Sequence, residues 1–333
     1  MIKTTDTMCD TTKTAAPLIV RIGTEFIATA LVMFVIYTFY PLNIFMSGIN
    51  VFMIAVGTGL AYAAATHIAS KVSGGHLNPA ITIASMLTGR TSYVSGLCYI
   101  VAQVFGAIAA AKLFLLTIPQ QDSGVDPSQF DQMSGFDKKY WFMPLVNGFG
   151  KGSISASKLK GMNLSFGIVS ALLVEVIAVI LIVAAALRST DNKGNTKCGY
   201  ATHIGIAYAV GTLITYMITG AGLNPARSTG IAIFANSYDL DVKPLSQLWV
   251  FWVAPIFAAA IVSLVSLLTK FLSNSAQKLA VSNETNSEPA QKSADAKAET
   301  KADAKTDTPA VSDMSYEYVQ DASDDNVANN LQK

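Results

Sequence analysis

The chain has 333 residues, of which 51% are hydrophobic and only 14% are charged, and its formal net charge is +1. A soluble domain carries more charge than this on its surface, so the composition places the body of the protein in a bilayer. The balanced charge offers no basic surface for nucleic acid, which excludes nucleic acid as a partner.

Six apolar segments are long enough to cross a membrane. A helix needs about 20 residues to cross roughly 30 Å of hydrocarbon. Runs of this length lie near residues 18–40, 48–70, 92–116, 163–187, 200–219 and 247–270. The sequence therefore predicts an all-α membrane protein with six transmembrane helices.

One heptapeptide pattern, Gly-x-x-Leu-Asn-Pro-Ala, occurs at residues 74–80, after the second segment, and at 220–226, after the fifth. Each copy opens an apolar piece of about ten residues, which as a helix reaches about 15 Å, half the membrane. We therefore predict two re-entrant half-helices.

The two motifs belong to an internal repeat. Glu25 lies in the first span of one half, about 18–116, and Glu175 in the first span of the other, about 163–270. Three spans per half is an odd number, so the second copy enters from the opposite face. The prediction is an inverted 3+3 repeat whose half-helices meet near the midplane.

The predicted organisation is one membrane body, residues 18–270, between two polar tails, 1–17 and 271–333. A long Gly-rich connection, 117–162, joins the two halves. The C-terminal tail is rich in small and charged residues and has the composition of a disordered segment.

The Asn-Pro-Ala motifs have a specific helix-start chemistry. Pro79 and Pro225 suit the first helical position, where a missing amide hydrogen costs nothing. Asn78 and Asn224 then become N-caps, whose side-chain oxygen accepts a backbone amide while the NH2 group stays free to donate. Ala80 and Ala226 complete the two motifs.

The residues before each Asn must have irregular backbone, which is tolerated in a membrane only where it lines a wet cavity. We expect pore-lining carbonyls at Gly74, Gly75, His76, Gly220 and Gly222. Two half-helix N-termini at the midplane repel cations. A water molecule that accepts from both asparagines must turn its hydrogens away, which opposes proton hopping.

These residues resemble the aquaporins, the major intrinsic proteins, over about residues 18–270. The resemblance rests on both Asn-Pro-Ala motifs, Arg227 after the second, and the two glutamates. The Ala-Gln of 102–103 with Gly106 adds to it. The tails and the loop 117–162 lie outside it. It implies a six-helix bundle with one pore per subunit, a homotetramer and no enzymatic activity. Neither a cofactor nor a metal is expected.

The resemblance assigns the selectivity filter to Thr58, Thr212, Ala221 and Arg227. Arg227 is a fixed cation that repels cations and donates to polar solutes. Water-selective members usually carry an aromatic ring and a His at the first two positions, where this chain has threonines. The expectation is a wider polar constriction that admits ammonia, hydrogen peroxide, urea or a small polyol such as glycerol.

Other positions favour the water-channel subgroup: Ser228, Ala232, Phe251 and Trp252 resemble it. The resemblance also makes Glu25 and Glu175 braces of the re-entrant loops rather than proton carriers. Ser189 and Thr190, beside Arg188, are candidate phosphorylation sites.

Passive conduction of water and small neutral solutes is thus the first hypothesis. A closed, gated or structural junctional protein is the alternative, and a proton-coupled transporter the third. Basic residues put one face of the bundle, with both termini, in the cytoplasm: Lys71, Arg90, Arg188, Lys193 and Lys197. The long tail suggests a eukaryotic cell, in its plasma membrane or an internal one.

Overall fold

The computed structural model describes residues 16–46, 49–119, 138–156, 162 and 164–302, without the side chains of 44, 45 and 279–302. The predicted N-terminal tail before residue 16, parts of the loop 117–162 and the tail after residue 302 lie outside the described residues.

Eight principal helices form the part of the chain that the structure describes. In chain order they are α1 (Leu18–Phe39), α2 (Val51–Ser70), α3 (Pro79–Leu87), α4 (Tyr93–Thr117), α5 (Ile168–Arg188), α6 (Tyr200–Thr219), α7 (Pro225–Ala235) and α8 (Val250–Ala302). Short helical turns occur at Leu42–Phe45, Lys138–Phe142, Gly150–Gly152 and Pro244–Gln247.

Six of these helices have the length and hydropathy to span a membrane, which confirms the predicted count. Their outer sides carry large apolar side chains such as Leu60, 66% exposed, and Val169, 75% exposed. An apolar surface of this extent on every span is what lipid contact requires. The half-helices α3 and α7 have 9 and 11 residues.

The two halves of the chain interlock through their half-helices. The helix α3 of the first half packs against α5 of the second, and α7 of the second packs against α4 of the first. The halves also join where α2 crosses α6. A Cβ on Gly59 would lie 2.6 Å from the carbonyl oxygen of Gly205, and a Cβ on Gly205 equally close to that of Gly59. Glycine is therefore required at this crossing.

The last helix, α8, runs past Lys270 to Ala302, where the composition predicts a disordered tail. Alanine, lysine and glutamate, which make that segment polar and weakly hydrophobic, are also strong helix formers. The chain divides after Leu272 into two units, and every residue of the site described below belongs to the first.

Candidate functional site: the pore axis

Asn78 and Asn224 cap the N-termini of α3 and α7. The Oδ1 atom of Asn78 accepts from the amide of Ala80 at 2.8 Å, and that of Asn224 accepts from the amide of Ala226 at 2.9 Å. Both prolines lie in the first turn, where no amide hydrogen is needed. Each half-helix therefore begins directly after the Asn of its Asn-Pro-Ala motif, as the sequence predicts.

The two helix starts face each other. Asn78 Nδ2 donates to the carbonyl of Leu223 at 3.0 Å, and Asn224 Nδ2 donates to that of Leu77 at 2.7 Å. Each Asn therefore binds the re-entrant loop of the other repeat. The positive ends of two helix dipoles meet at one point, which disfavours a cation there.

Two tyrosines, which the sequence analysis did not single out, take the second hydrogen of each amide. Asn78 Nδ2 donates to Tyr208 Oη at 2.7 Å, and Asn224 Nδ2 donates to Tyr62 Oη at 3.0 Å. The two phenol rings are stacked, with centroids 3.3 Å apart and planes 5° from parallel. Both asparagines are fully buried, and each tyrosine is only 1% exposed. The sequence predicts that the side-chain amides of both asparagines are free to donate. The structure differs, because every amide hydrogen has a protein acceptor.

The re-entrant loops adopt left-handed backbone at three residues other than glycine. Leu77 has a φ of 50°, Ala221 of 54° and Leu223 of 53°. Such conformations cost free energy for a residue with a side chain, so the surrounding structure must hold them. In each loop a buried glutamate supplies that hold.

Glu25 holds the first loop from α1. One of its carboxylate oxygens accepts from Ser73 Oγ at 2.5 Å and from the amide of His76 at 3.0 Å. The other accepts from the amide of Leu77 at 2.8 Å and from Gln103 Nε2 at 2.9 Å. Four donors on one buried carboxylate fix the loop.

Glu175 does the same for the second loop from α5. Its carboxylate accepts from Thr219 Oγ1 at 2.6 Å, from the amide of Gly222 at 2.8 Å and from the amide of Leu223 at 2.7 Å. A Cβ on Gly222 would meet the ring of Phe251 at 2.4 Å, so this position must be glycine. The bracing geometry repeats in both halves.

The predicted selectivity filter, termed the outer filter from here on, is built around Arg227, which is 1% exposed. Its Nη1 donates to Asn147 Oδ1 at 2.6 Å, and its guanidinium carbon lies 5.2 Å from the centroid of the Tyr40 ring. The Nε and Nη2 atoms have no partner among the described residues. Two buried charged donors are thus available to a solute oxygen.

Tyr40 also alters the predicted lining of the filter. Its hydroxyl lies 2.9 Å from Thr58 Oγ1, which itself donates to the carbonyl of Ile54 at 2.7 Å. Thr58 is therefore satisfied by protein groups and covered by an aromatic ring. Thr212, in contrast, is fully buried with no partner for its hydroxyl among the described residues. Ala221 is 1% exposed.

The loop between the halves reaches the filter through Asn147. Its Nδ2 donates to the carbonyls of Thr219 and Gly220 at 3.1 and 2.9 Å, and its Oδ1 also accepts from Ser228 Oγ at 2.8 Å. One side chain therefore ties the second re-entrant loop to Arg227. The resemblance stated from the sequence does not extend to this loop, because a single Asn in a Gly-rich stretch carries no signal of where it docks.

The remaining predicted residues lie around this axis. Ala232 and Phe251 are buried, and Trp252 Nε1 donates to Thr229 Oγ1 at 3.0 Å. Of the expected pore carbonyls, that of Gly75 accepts from Tyr200 Oη at 3.4 Å. His76 Nδ1 lies 3.1 Å from Thr82 Oγ1.

The candidate modification sites lie at the other face, away from Arg227. Ser189 is 6% exposed, and its hydroxyl lies 2.9 Å from His203 Nδ1. Thr190 accepts from Arg90 Nη1 at 2.6 Å. A kinase would need this loop to open before it reached the Ser189 hydroxyl. In the described part of the chain, no group of three or more His, Cys, Asp or Glu side chains could hold a metal ion.

An inverted repeat, two half-helices capped by asparagine and an arginine beside the second one define a membrane channel. The model of the major intrinsic protein family matches residues 11–266, a range that includes the loop between the halves. The chain belongs to the major intrinsic protein family.

Individual relatives agree with this membership. The chain is 34% identical over 215 residues to Aquaporin Z of Photorhabdus laumondii, covering 64% of this chain and 80% of the relative. It is 32% identical over 214 residues to Aquaporin-4 of Bos taurus, covering 64% of this chain and 54% of the relative. A solved aquaglyceroporin from Plasmodium falciparum has the same fold, with a TM-score of 0.53 at 18% identity over 75% of this chain and 93% of that one.

Proposed function

We propose that each subunit conducts water passively along the axis from Arg227 to the paired asparagines. The observation that carries this proposal is the end-to-end meeting of two buried half-helix N-termini, with a buried arginine directly after the second motif. Arg227 supplies fixed donors to a neutral polar molecule, and the positive ends of the two helix dipoles disfavour a coupled cation.

The exclusion of ions follows from the same groups. Arg227 presents a permanent positive charge at the outer end, and two helix dipoles present partial positive charge at the centre. A cation meets repulsion at both places. The carboxylates of Glu25 and Glu175 are occupied by loop amides and hydroxyls, which supports bracing rather than proton transport.

Small neutral solutes are the second part of the proposal. The Thr58 hydroxyl is bonded to Ile54 and Tyr40, whereas the hydroxyl of Thr212 has no partner among the described residues and can bind a solute. Ammonia, hydrogen peroxide, urea and glycerol are therefore the candidates to measure beside water.

We further propose a homotetramer in which both termini face the cytoplasm, at the plasma membrane or an internal membrane of a eukaryotic cell. The orientation rests on the basic residues of the loops at the face opposite Asn147. The relatives named above come from a bacterium and a mammal, so the proposal of a eukaryotic cell rests on the long tail alone.

Stopped-flow light scattering on proteoliposomes tests this function. We expect an osmotic gradient of an impermeant sugar to shrink vesicles with protein faster than protein-free vesicles. A gradient of urea or glycerol then reports solute entry as re-swelling. Rates equal to those of protein-free vesicles in every gradient would contradict the proposed conduction.

A closed channel is the second candidate function, and one observation favours it. Asn78 and Asn224 expose none of their surface, and their amides donate to the hydroxyls of the stacked pair Tyr62 and Tyr208. A wild-type protein that matches protein-free vesicles but has an opened variant that conducts would support this candidate.

A further inference from the structure

We infer that the stacked pair Tyr62–Tyr208 is the size-selecting constriction of this channel, and that the outer filter is not. The inference rests on the proposed function and names the residues that limit it. The two rings lie at the meeting point of the half-helices, and their hydroxyls accept from Asn224 and Asn78. A solute that travels along this axis must displace both rings.

The position of the rings follows from the helix crossing. Tyr62 comes three residues after Gly59 on α2, and Tyr208 three residues after Gly205 on α6. Residues three apart share one face of a helix. Because the two glycines bring the backbones together, the side chains one turn further along must meet, and they meet face to face at 3.3 Å.

The hydrogen bonds close the centre further. Each asparagine amide uses one hydrogen on a backbone carbonyl of the opposite loop and the other on a tyrosine hydroxyl. A passing water must therefore replace a tyrosine oxygen at an asparagine, so water enters only when the rings part. The constriction thus depends on ring position and not on the width of the outer filter.

Two constrictions in series make a clear prediction about selectivity. By this inference the outer filter, which has two threonines and Tyr40 beside Thr58, is the wider of the two constrictions and by itself would admit urea. With the tyrosine pair in place, the centre decides, and this narrows the solutes proposed above: urea and glycerol are rejected, while water passes slowly. This arrangement accommodates both the threonines and the water-channel markers Ser228 and Phe251 in one molecule.

The test replaces the rings in the full-length chain. We expect the double variant Tyr62→Val/Tyr208→Val to raise water permeability per tetramer at least about fivefold over the wild type, and to admit urea, because pore diameter sets both. The double variant Tyr62→Phe/Tyr208→Phe keeps the rings and loses the hydroxyls. Its water permeability should stay well below that of the Val variant, because both rings remain on the axis.

A matched control is available in the structure. Phe142 and Tyr238 form another stacked pair, with centroids 4.6 Å apart, in the loops at the outer end. Tyr238→Val removes a ring from a stack away from the axis, so it should leave water and urea permeability unchanged. Circular dichroism and gel filtration in detergent verify that each variant is folded. If the double Val variant does not fold, each single Val variant should still raise water permeability at least about twofold.

The outcomes separate this inference from the proposed function. Equal water permeability of wild type and folded Val variants overturns the inference, whether both are fast or both match protein-free vesicles. In the first case the proposed conduction stands, and in the second it fails as well. A Phe double variant that opens as far as the Val double variant would also overturn it, because the rings would then not be the obstacle.

Discussion

The outer filter and the centre of the axis differ in how their polar groups are satisfied. At the filter, Arg227 keeps two donors and Thr212 keeps a hydroxyl without a protein partner among the described residues. At the centre, all four amide hydrogens of Asn78 and Asn224 have protein acceptors. The filter is prepared to bind a solute, whereas the centre must open before it can bind one.

This difference shows that two sites built from similar groups have different tasks. Unsatisfied buried donors are costly and are found where a ligand is expected. Satisfied donors stabilise a single arrangement, here one held by a stacked aromatic pair worth about 0.5–1.5 kcal/mol beyond its burial. The centre is therefore the stable part of the pore, and the filter the receptive part.

The largest expected effect comes from removing the carboxylate that holds the second re-entrant loop at the centre. Glu175→Leu leaves the amides of Gly222 and Leu223 and the hydroxyl of Thr219 without their acceptor. Each orphaned buried group costs about 1–3 kcal/mol, so the total is about 3 kcal/mol or more. We expect little folded protein and a strongly lowered Tm in detergent.

Glu175→Gln is the matched control, since it keeps the volume and one accepting oxygen. It should be less damaging than the Leu variant. A Leu variant with wild-type thermal stability would show that the left-handed backbone at Leu223 needs no brace.

The second effect tests whether the two constrictions act in series. Arg227→Ala in the wild-type background should leave urea permeability low, because the tyrosine pair still limits the axis. The same change in the Tyr62→Val/Tyr208→Val background should raise urea entry by about an order of magnitude, since widening and loss of charge then act on the limiting site. Solute entry is measured as re-swelling of proteoliposomes.

Methylammonium distinguishes charge from width in the same series. Entry of this cation should rise only in the variant that lacks both Arg227 and the two rings. If Arg227→Ala alone admits urea freely, the centre is not the size limit and the comparison fails.

The sequence predicts much of this architecture, because hydropathy and motif chemistry are local. Six spans follow from apolar length, and two half-helices from Asn-Pro-Ala, and the fold confirms both. Tyr62 and Tyr208 were missed, since a tyrosine in a span acquires its meaning only from the helix that crosses it. A signal was nevertheless present: Tyr62 precedes Asn78 by 16 residues, and Tyr208 precedes Asn224 by 16.

Long-range docking explains the other differences. Asn147 and Tyr40 reach Arg227 from segments far away in the chain, and nothing local marks them. The continuation of α8 to Ala302 has a different cause. The low hydrophobicity of this segment predicts disorder, while its alanine, lysine and glutamate residues favour a helix.

The third prediction concerns a substitution that loosens the filter and leaves the centre intact. Asn147→Ala removes an acceptor from Arg227 and Ser228 and two donors from the second loop. A hydrogen bond to a charged group contributes about 1.5–3 kcal/mol, so Tm should fall moderately. Water permeability should change less than in the tyrosine variants. A larger change than theirs would move the limiting constriction to the filter.

The smallest expected effect is that of mercurials, which react with cysteine thiols. It tests whether Ala221 lies at the filter. Of the two cysteines in the described residues, Cys98 is partly exposed and lies in α4, and Cys198 is exposed and lies in the loop before α6. Mercurials should therefore leave wild-type water permeability nearly unchanged.

Ala221→Cys puts a thiol next to the filter at a left-handed backbone position that alanine already occupies, with a φ of 54°. It should fold and become sensitive to mercurials in the Tyr62→Val/Tyr208→Val background. Strong inhibition of the wild type that Cys98→Ser abolishes would instead place that thiol on the path of the water.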